Sequence, residues 1–260
     1  MSALLLMFDD GPPFPRSLFA SGEQGIWLDP SDFSTLFQDA AGTIPVTAVG
    51  QPVGKILDKS GRGNHATQST GASRPTLQQD SNGLYYLSFD GTDDSMATPS
   101  INFTGTDKMT VWAGVRKLSD AARSMLIELS ASFSGANGAF DIEAPQTNGA
   151  STYYFGTRGT ATVAAVAAGF AAPISNVISA IGSISTDSCI LRVNGTQAAS
   201  SAADQGTGNY GNYPLYIGRR GGTTLPFNGR LYQLIVRGAE SNAGQIAAVE
   251  AWVNGKARAY

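Results

Sequence analysis

Three carboxylates stand where acid–base chemistry could be done. Asp141 and Glu143 alternate on the short stretch Ala139-Phe-Asp-Ile-Glu143. On a strand, residues two apart share a face and lie roughly 7 Å from one another. Glu128 belongs to Ser124 to Ser130, where Met125, Ile127 and Leu129 point one way and Glu128 the other. Two carboxylates so placed are the acid and the nucleophile or base of glycoside hydrolysis. The fuller E-x-D-x-E pattern is missing, because Ala139 and Pro145 occupy the flanking places. Trp112, Arg116, Tyr154 and Arg192 share the outward parity. Ligand binding and a plain solvated sheet face are therefore open beside hydrolysis.

A second group sits on a glycine-rich edge. Gly206-Thr-Gly-Asn-Tyr-Gly211 matches the dinucleotide fingerprint literally. That fingerprint needs a helix after the turn, and here the strand-like Leu215 to Gly218 follows. The glycines let the backbone approach a ligand closely. Tyr210, Tyr213, Arg219 and Arg220 add stacking faces and donors. This loop edge is the favoured sugar site, ahead of the sheet face with Trp112 and Tyr154. Asp90, Asp93 and Asp94, with Asp58 within possible reach, offer hard oxygens suited to calcium or to capping a turn.

Other chemistries are bounded by counts. His65 is the single histidine, which excludes a two-histidine metal site. No G-x-S-x-G elbow presents a serine to it. Cys189 is the single cysteine, so no internal disulfide forms; its parity with Leu191 and Val193 makes it a core residue.

The elements that must position these groups are strands. Tyr85, Leu87 and Phe89 alternate with Tyr86, Ser88 and Asp90; Met109, Val111, Ala113 and Val115 alternate with Trp112 and Arg116. Cys189 to Val193 runs into an Asn194-Gly195 hairpin turn. A strand over Arg230 to Arg237 follows, then a helix from about Asn242 to Val253, with Ser241 as cap and Asn254-Gly255 as stop. Asp29-Pro30-Ser31-Asp32 gives an N-cap with proline at the first helical position, so a turn or two of helix is expected over Ser31 to Phe37. Residues 1–24 hold Gly11-Pro-Pro-Phe-Pro15 and the apolar run Leu4 to Phe8. They read as an extended arm whose apolar head docks on a partner chain or on the body, with ordering by a partner or a neighbouring copy expected. Residues 25–260 form one body, because no repeat or linker divides them.

Charged residues make up 14% of 260, and the net charge is −3. No basic stripe exists, which argues against a nucleic-acid backbone as partner. The run Leu4 to Phe8 lacks a basic flank and is followed by Asp9-Asp10, so no secretory signal and no membrane insertion are expected. So few charges suit a protein packed in an assembly or oligomer.

Three blocks carry a family resemblance. One is Gly22 to Asp32 with Phe37 to Thr43. Another is Asp58-Lys-Ser-Gly-Arg-Gly-Asn-His-Ala-Thr67 with Leu87 to Asp94. The last runs from Asn194-Gly195 to Gly255. The second and third resemble laminin-G-like, concanavalin A-like jelly rolls. The first resembles a subset found in phage and prophage virion proteins, mostly tail-associated. The resemblance implies an all-β, antiparallel two-sheet sandwich with one short C-terminal helix. It also implies a virion protein, in or near the tail, that contacts other virion proteins through its arm and recognises host-surface carbohydrate. A decoration or adaptor protein without ligand, or a polysaccharide glycosidase using Glu128, Asp141 and Glu143, are the alternatives. No catalytic residue and no cofactor follow from the family; calcium binding occurs in some of its members.

Overall fold

The computed structural model describes residues 14–260. Two antiparallel sheets face one another across a single apolar layer. Across the first sheet run Thr196–Ser201, Ser188–Val193, Ile174–Ser183, Lys108–Lys117, Asn228–Arg237, Tyr85–Asp90 and Thr76–Gln79; Gly25–Leu28 pairs the far end of Asn228–Arg237. Across the second run Thr162–Ala168, Thr152–Arg158, Phe140–Glu143, Met125–Leu129, Asn212–Ile217 and Met96–Asn102, then the short Ala66–Thr67, Lys55–Ile56 and Leu36–Phe37. This is the expected jelly-roll sandwich.

Alternation builds the core. Phe89, Val111, Leu191 and Cys189 of the first sheet meet Ile127, Ile142 and Leu215 of the second, all buried. Asn194 and Gly195 both adopt positive φ, 51° and 77°, the geometry a two-residue hairpin turn requires. Ile235 is buried too, but not between the sheets. It lies on the outer face of the first sheet with Trp27, Trp112 and Val177, beneath Val249 and Val253 of the C-terminal helix.

That helix spans Ala243–Ala257, four residues beyond the expected stop at Val253. Asn242, not Ser241, is the cap: its side chain accepts from the Gln245 amide, and Gln245 returns a bond to the Asn242 amide. The helix continues through Asn254-Gly255 because its far end packs closely on the sheet. A Cβ at Gly114 would stand 3.0 Å from Val253 Cγ1 and 3.1 Å from the Ala257 Cβ. Near the start, the cap is Asp32 rather than the residue before Pro30; only Phe33–Thr35 is helical, and Leu36–Phe37 is already strand.

The expected arm divides. Residues 1–13 lie outside the described residues. Arg16–Phe19 forms a single 3-10 turn, and Leu18 and Phe19 are buried beside Trp27 and Trp112. The Arg237 guanidinium donates to the Leu18 carbonyl at 2.8 Å and to Glu23 at 2.7 Å. Residues 16–23 are thus packed on the body itself.

Candidate functional site

The carboxylates lie on adjacent strands of the second sheet. Asp141 stands directly opposite Glu128, and Glu143 opposite Tyr154. All three point away from the inter-sheet core, as parity requires. They are not solvated, however: each is 0% exposed. The loop after Asn212–Ile217 folds back over them. Arg220 Nε donates to Glu128 Oε1 at 3.1 Å, and its Nη2 donates to Asp141 Oδ2 at 3.1 Å and to Glu143 Oε1 at 3.4 Å. The amides of Phe133 and Gly221 donate to the two Glu128 oxygens. Arg123 grips Glu143 from the other side with both arms of its fork.

Burial sets the protonation here. It pushes Glu128 up, against the pull of the Phe133 amide and Arg220. Asp141 is held well above the carboxylate range, by burial first and by the neighbouring Glu143 second. Three carboxyls here share two guanidiniums, Arg220 and Arg123. Asp141 Oδ1 has no partner. A glycosidase needs its carboxylates open to the scissile bond and to water. This set is sealed beneath Arg220, itself only 24% exposed. The geometry is that of an internal ion cluster fastening a loop to a sheet.

The favoured loop edge is corrected likewise. Tyr210 is wholly buried, its hydroxyl 2.7 Å from Thr157 Oγ1 and its ring edge-on to Phe140. Tyr213 donates to the Asn137 carbonyl at 3.0 Å. Arg219 donates to the Asp93 and Thr223 carbonyls. These contacts knit the loop together; Tyr210 presents no stacking face, and Tyr213, Arg219 and Arg220 are half-buried. Trp112 is also buried, beneath the C-terminal helix. It belongs to the first sheet and Tyr154 to the second, so the two cannot share a sugar-binding face. Tyr154 borders the carboxylates, and burial together with Asp141 and Glu143 raises its phenol. Arg192 is held by Glu250 of the helix, at 2.7 Å.

Among the described residues, Asp90, Asp93 and Asp94 bring one oxygen each within 4.8 Å of one another. Asp58 is not among them. Its oxygens accept from the amides of Trp27, Ser60 and Asn64, while His65 Nδ1 accepts from the Asp58 amide. Asp90 Oδ1 accepts from the Thr92 and Asp93 amides, a capped turn. Burial, with Asp90 beside it, pushes the Asp94 carboxyl from 3.8 up to about 7. The folded state therefore binds an extra proton between those values, and stability falls as pH rises through that window. Asp94→Asn keeps an oxygen for the Asp90 amide, 3.1 Å away, and removes the charge. Its melting temperature should exceed the wild type's at pH 8 and match it at pH 4. Calcium that raises the wild-type melting temperature at pH 8, and not the variant's, would instead make the aspartates an ion site.

An open cavity of about 510 Å³ lies on the outer face of the first sheet, beside the end of the C-terminal helix. Its floor is Tyr86 and Tyr232, with ring centroids 5.3 Å apart. Arg230 lies over the Tyr86 ring at 4.5 Å. Arg116, Asn82 and Arg258 border the opening. Sequence reasoning placed Tyr86 and Arg116 on outward faces but did not join them. Their strands are separated by Asn228–Arg237, which arrives far later in the chain.

Two antiparallel sheets around one core, closed by a C-terminal helix, define a jelly-roll sandwich. The chain belongs to the concanavalin A-like lectin/glucanases superfamily, whose laminin-G-like model matches residues 90–247. No curated protein sequence matches it. Its fold is similar to the binding domain of botulinum neurotoxin DC in complex with SialylT, at TM-score 0.56 and 9% identity, covering 76% of this chain and 48% of that one. Botulinum neurotoxin type C, described as dependent upon interaction with two ganglioside molecules, matches at 0.59 and 9%, covering 89% and 51%. The binding domain of Paraclostridial Mosquitocidal Protein 1 matches at 0.58 and 15%, covering 78% and 50%. This chain thus spans about half the length of these binding domains. At such identities the likeness is one of fold.

Proposed function

We propose that the protein is a non-enzymatic carbohydrate-binding module, carried on a phage particle at or near its tail and directed at host-surface glycan. The observation that carries the binding role is the open cavity over Tyr86 and Tyr232. It gathers guanidinium and amide donors above buried tyrosines, polar groups of the kind that bind sugar hydroxyls. The sealing of Glu128, Asp141 and Glu143 favours binding over hydrolysis. The binding domains that share the fold support the same choice. The virion setting rests on the resemblance of the Gly22 to Asp32 block, with the apolar run Leu4 to Phe8 as the segment that contacts other particle proteins.

A glycan array probed with the purified full chain tests the binding role. Ser81 is an exposed turn residue at the cavity mouth, and Ser81→Trp fills the opening. Retained glycans should bind the variant about tenfold more weakly or worse, a loss of roughly 1.4 kcal/mol, with an unchanged melting temperature. Equal binding by Ser81→Trp would move the site elsewhere. An array without any retained glycan would leave the ligand-free adaptor as the function.

A further inference from the structure

We infer that the cavity selects acidic glycans, those carrying a sugar carboxylate; this rests on the carbohydrate reading above. The observation is a pair of like charges in register. Arg230 on Asn228–Arg237 stands directly opposite Arg116 on Lys108–Lys117. Like charges directly opposite one another on neighbouring strands destabilise a sheet. Arg220, Arg123, Arg192 and Arg237 each meet a carboxylate. Other arginines without a carboxylate, such as Arg62, Arg74 and Arg219, are held by backbone carbonyls and do not face a second arginine across a strand pair. No carboxylate lies within ion-pair distance of Arg116, Arg230 or Arg258 among the described residues. Arg116 has only the neutral Ser175 Oγ, at 3.1 Å.

The other polar groups of the cavity do not cancel this charge. Asp80 is its one carboxylate, and that group is occupied. Its Oδ1 accepts from the Asn82 and Leu84 amides, and its Oδ2 accepts from the Tyr232 hydroxyl at 3.3 Å. The carbonyl end of the C-terminal helix adds partial negative charge nearby. Arg258 caps that end with a left-handed turn, its amide bonded to the Asn254 carbonyl at 2.7 Å. Three guanidiniums against one engaged carboxylate leave a positive field in a cavity with an aromatic floor. Arg230 is already oriented by the Tyr86 face. A planar carboxylate is what such forks bind in a bidentate way, while the Asn82 amide is placed to meet sugar hydroxyls.

Two conservative variants test this on the full chain: Arg116→Gln, which keeps a donor for Ser175, and Arg116→Gln with Arg230→Gln. The probes are an array holding neutral, sulfated and carboxylated glycans, and one carboxylated oligosaccharide paired with its carboxyl-reduced form. Binding should be confined to carboxylated glycans, and the reduced form should bind about tenfold more weakly or worse, the loss of one charged hydrogen-bonded contact. Arg116→Gln should weaken the acid to a similar extent. The same variant should raise the melting temperature of the free protein, because it removes the repulsion between opposed arginines; a merely structural arginine would lower it. Neutral or only sulfated glycans on the array would overturn the carboxylate assignment and leave carbohydrate binding standing. Acidic binding that survives the double variant would remove the site from this cavity. No binding to any glycan would overturn both.

Discussion

Arg220→Met should destabilise the protein by about 3 kcal/mol at pH 8, the scale for removing one partner of a buried ion pair. Methionine matches the stem of arginine and removes only the charge and donors. What remains is Glu128, Asp141 and Glu143, each 0% exposed, with Arg123 as the one cation. Three buried carboxyls then share a single guanidinium. The pH dependence separates this account from simple loss of packing. The Glu128 and Asp141 carboxyls are already raised by burial. Removing the facing guanidinium raises them further. A carboxyl whose folded value lies above its unfolded value binds protons on folding, so it weakens stability as pH rises from the unfolded value through the folded one. The deficit of the variant should therefore be largest at pH 8 and shrink toward pH 5, where protonation removes the orphan charge. Urea unfolding at both pH values measures it. A deficit equal at the two would assign the loss to packing. One below about 0.5 kcal/mol, the scale of surface changes, would show that the loop opens freely and that the carboxylates reach solvent.

The sequence expressed the inner face of this sandwich well, and its outer faces poorly. Period-two alternation is imposed by a backbone that points successive side chains to opposite faces. Met109, Val111, Ala113 and Val115 had to share a face, and they do. The Asn194-Gly195 turn is local, because it needs two residues at positive φ. What covers the back of a sheet is not local. Trp112 and Tyr154 have the same outward parity, yet the helix covers one and the other lies on a different sheet. Glu128 meets Arg220 across 92 residues of chain. Parity reports that a carboxylate faces outward; it is silent on whether a later loop returns to bury it. The helix end failed for a related reason. Asn254-Gly255 is a stop by propensity, and packing of Ala257 over Gly114 overrides it. The arginine pair of the cavity was visible only as two unrelated arginines until Asn228–Arg237 was placed between Lys108–Lys117 and Tyr85–Asp90.

Leu191→Ala should cost about 4 kcal/mol, in the upper half of the 2–5 kcal/mol range for such truncations. Two features of its surroundings favour the upper half. Leu191 is fully buried, and it points into the layer shared by both sheets, beside Cys189 and Val193 on its own strand. Its cross-strand neighbours are Ala180 and Ala199. Alanine side chains have no rotamers with which to fill the space that the leucine vacates. Ile174–Ser183 is tied by ladder bonds on both sides, which resists its moving in. The cost of a truncation grows with the cavity that remains. Cys189→Ala, at an equally buried position on the same strand, removes a single heavy atom and should cost far less. Equilibrium urea unfolding of both variants, with the slope compared to the wild type, separates a lost contact from a changed unfolded state. A Leu191→Ala loss below about 1 kcal/mol would mean that the second sheet collapses onto the vacancy, and that the two halves of the sandwich are less rigidly coupled than a close-packed interior allows.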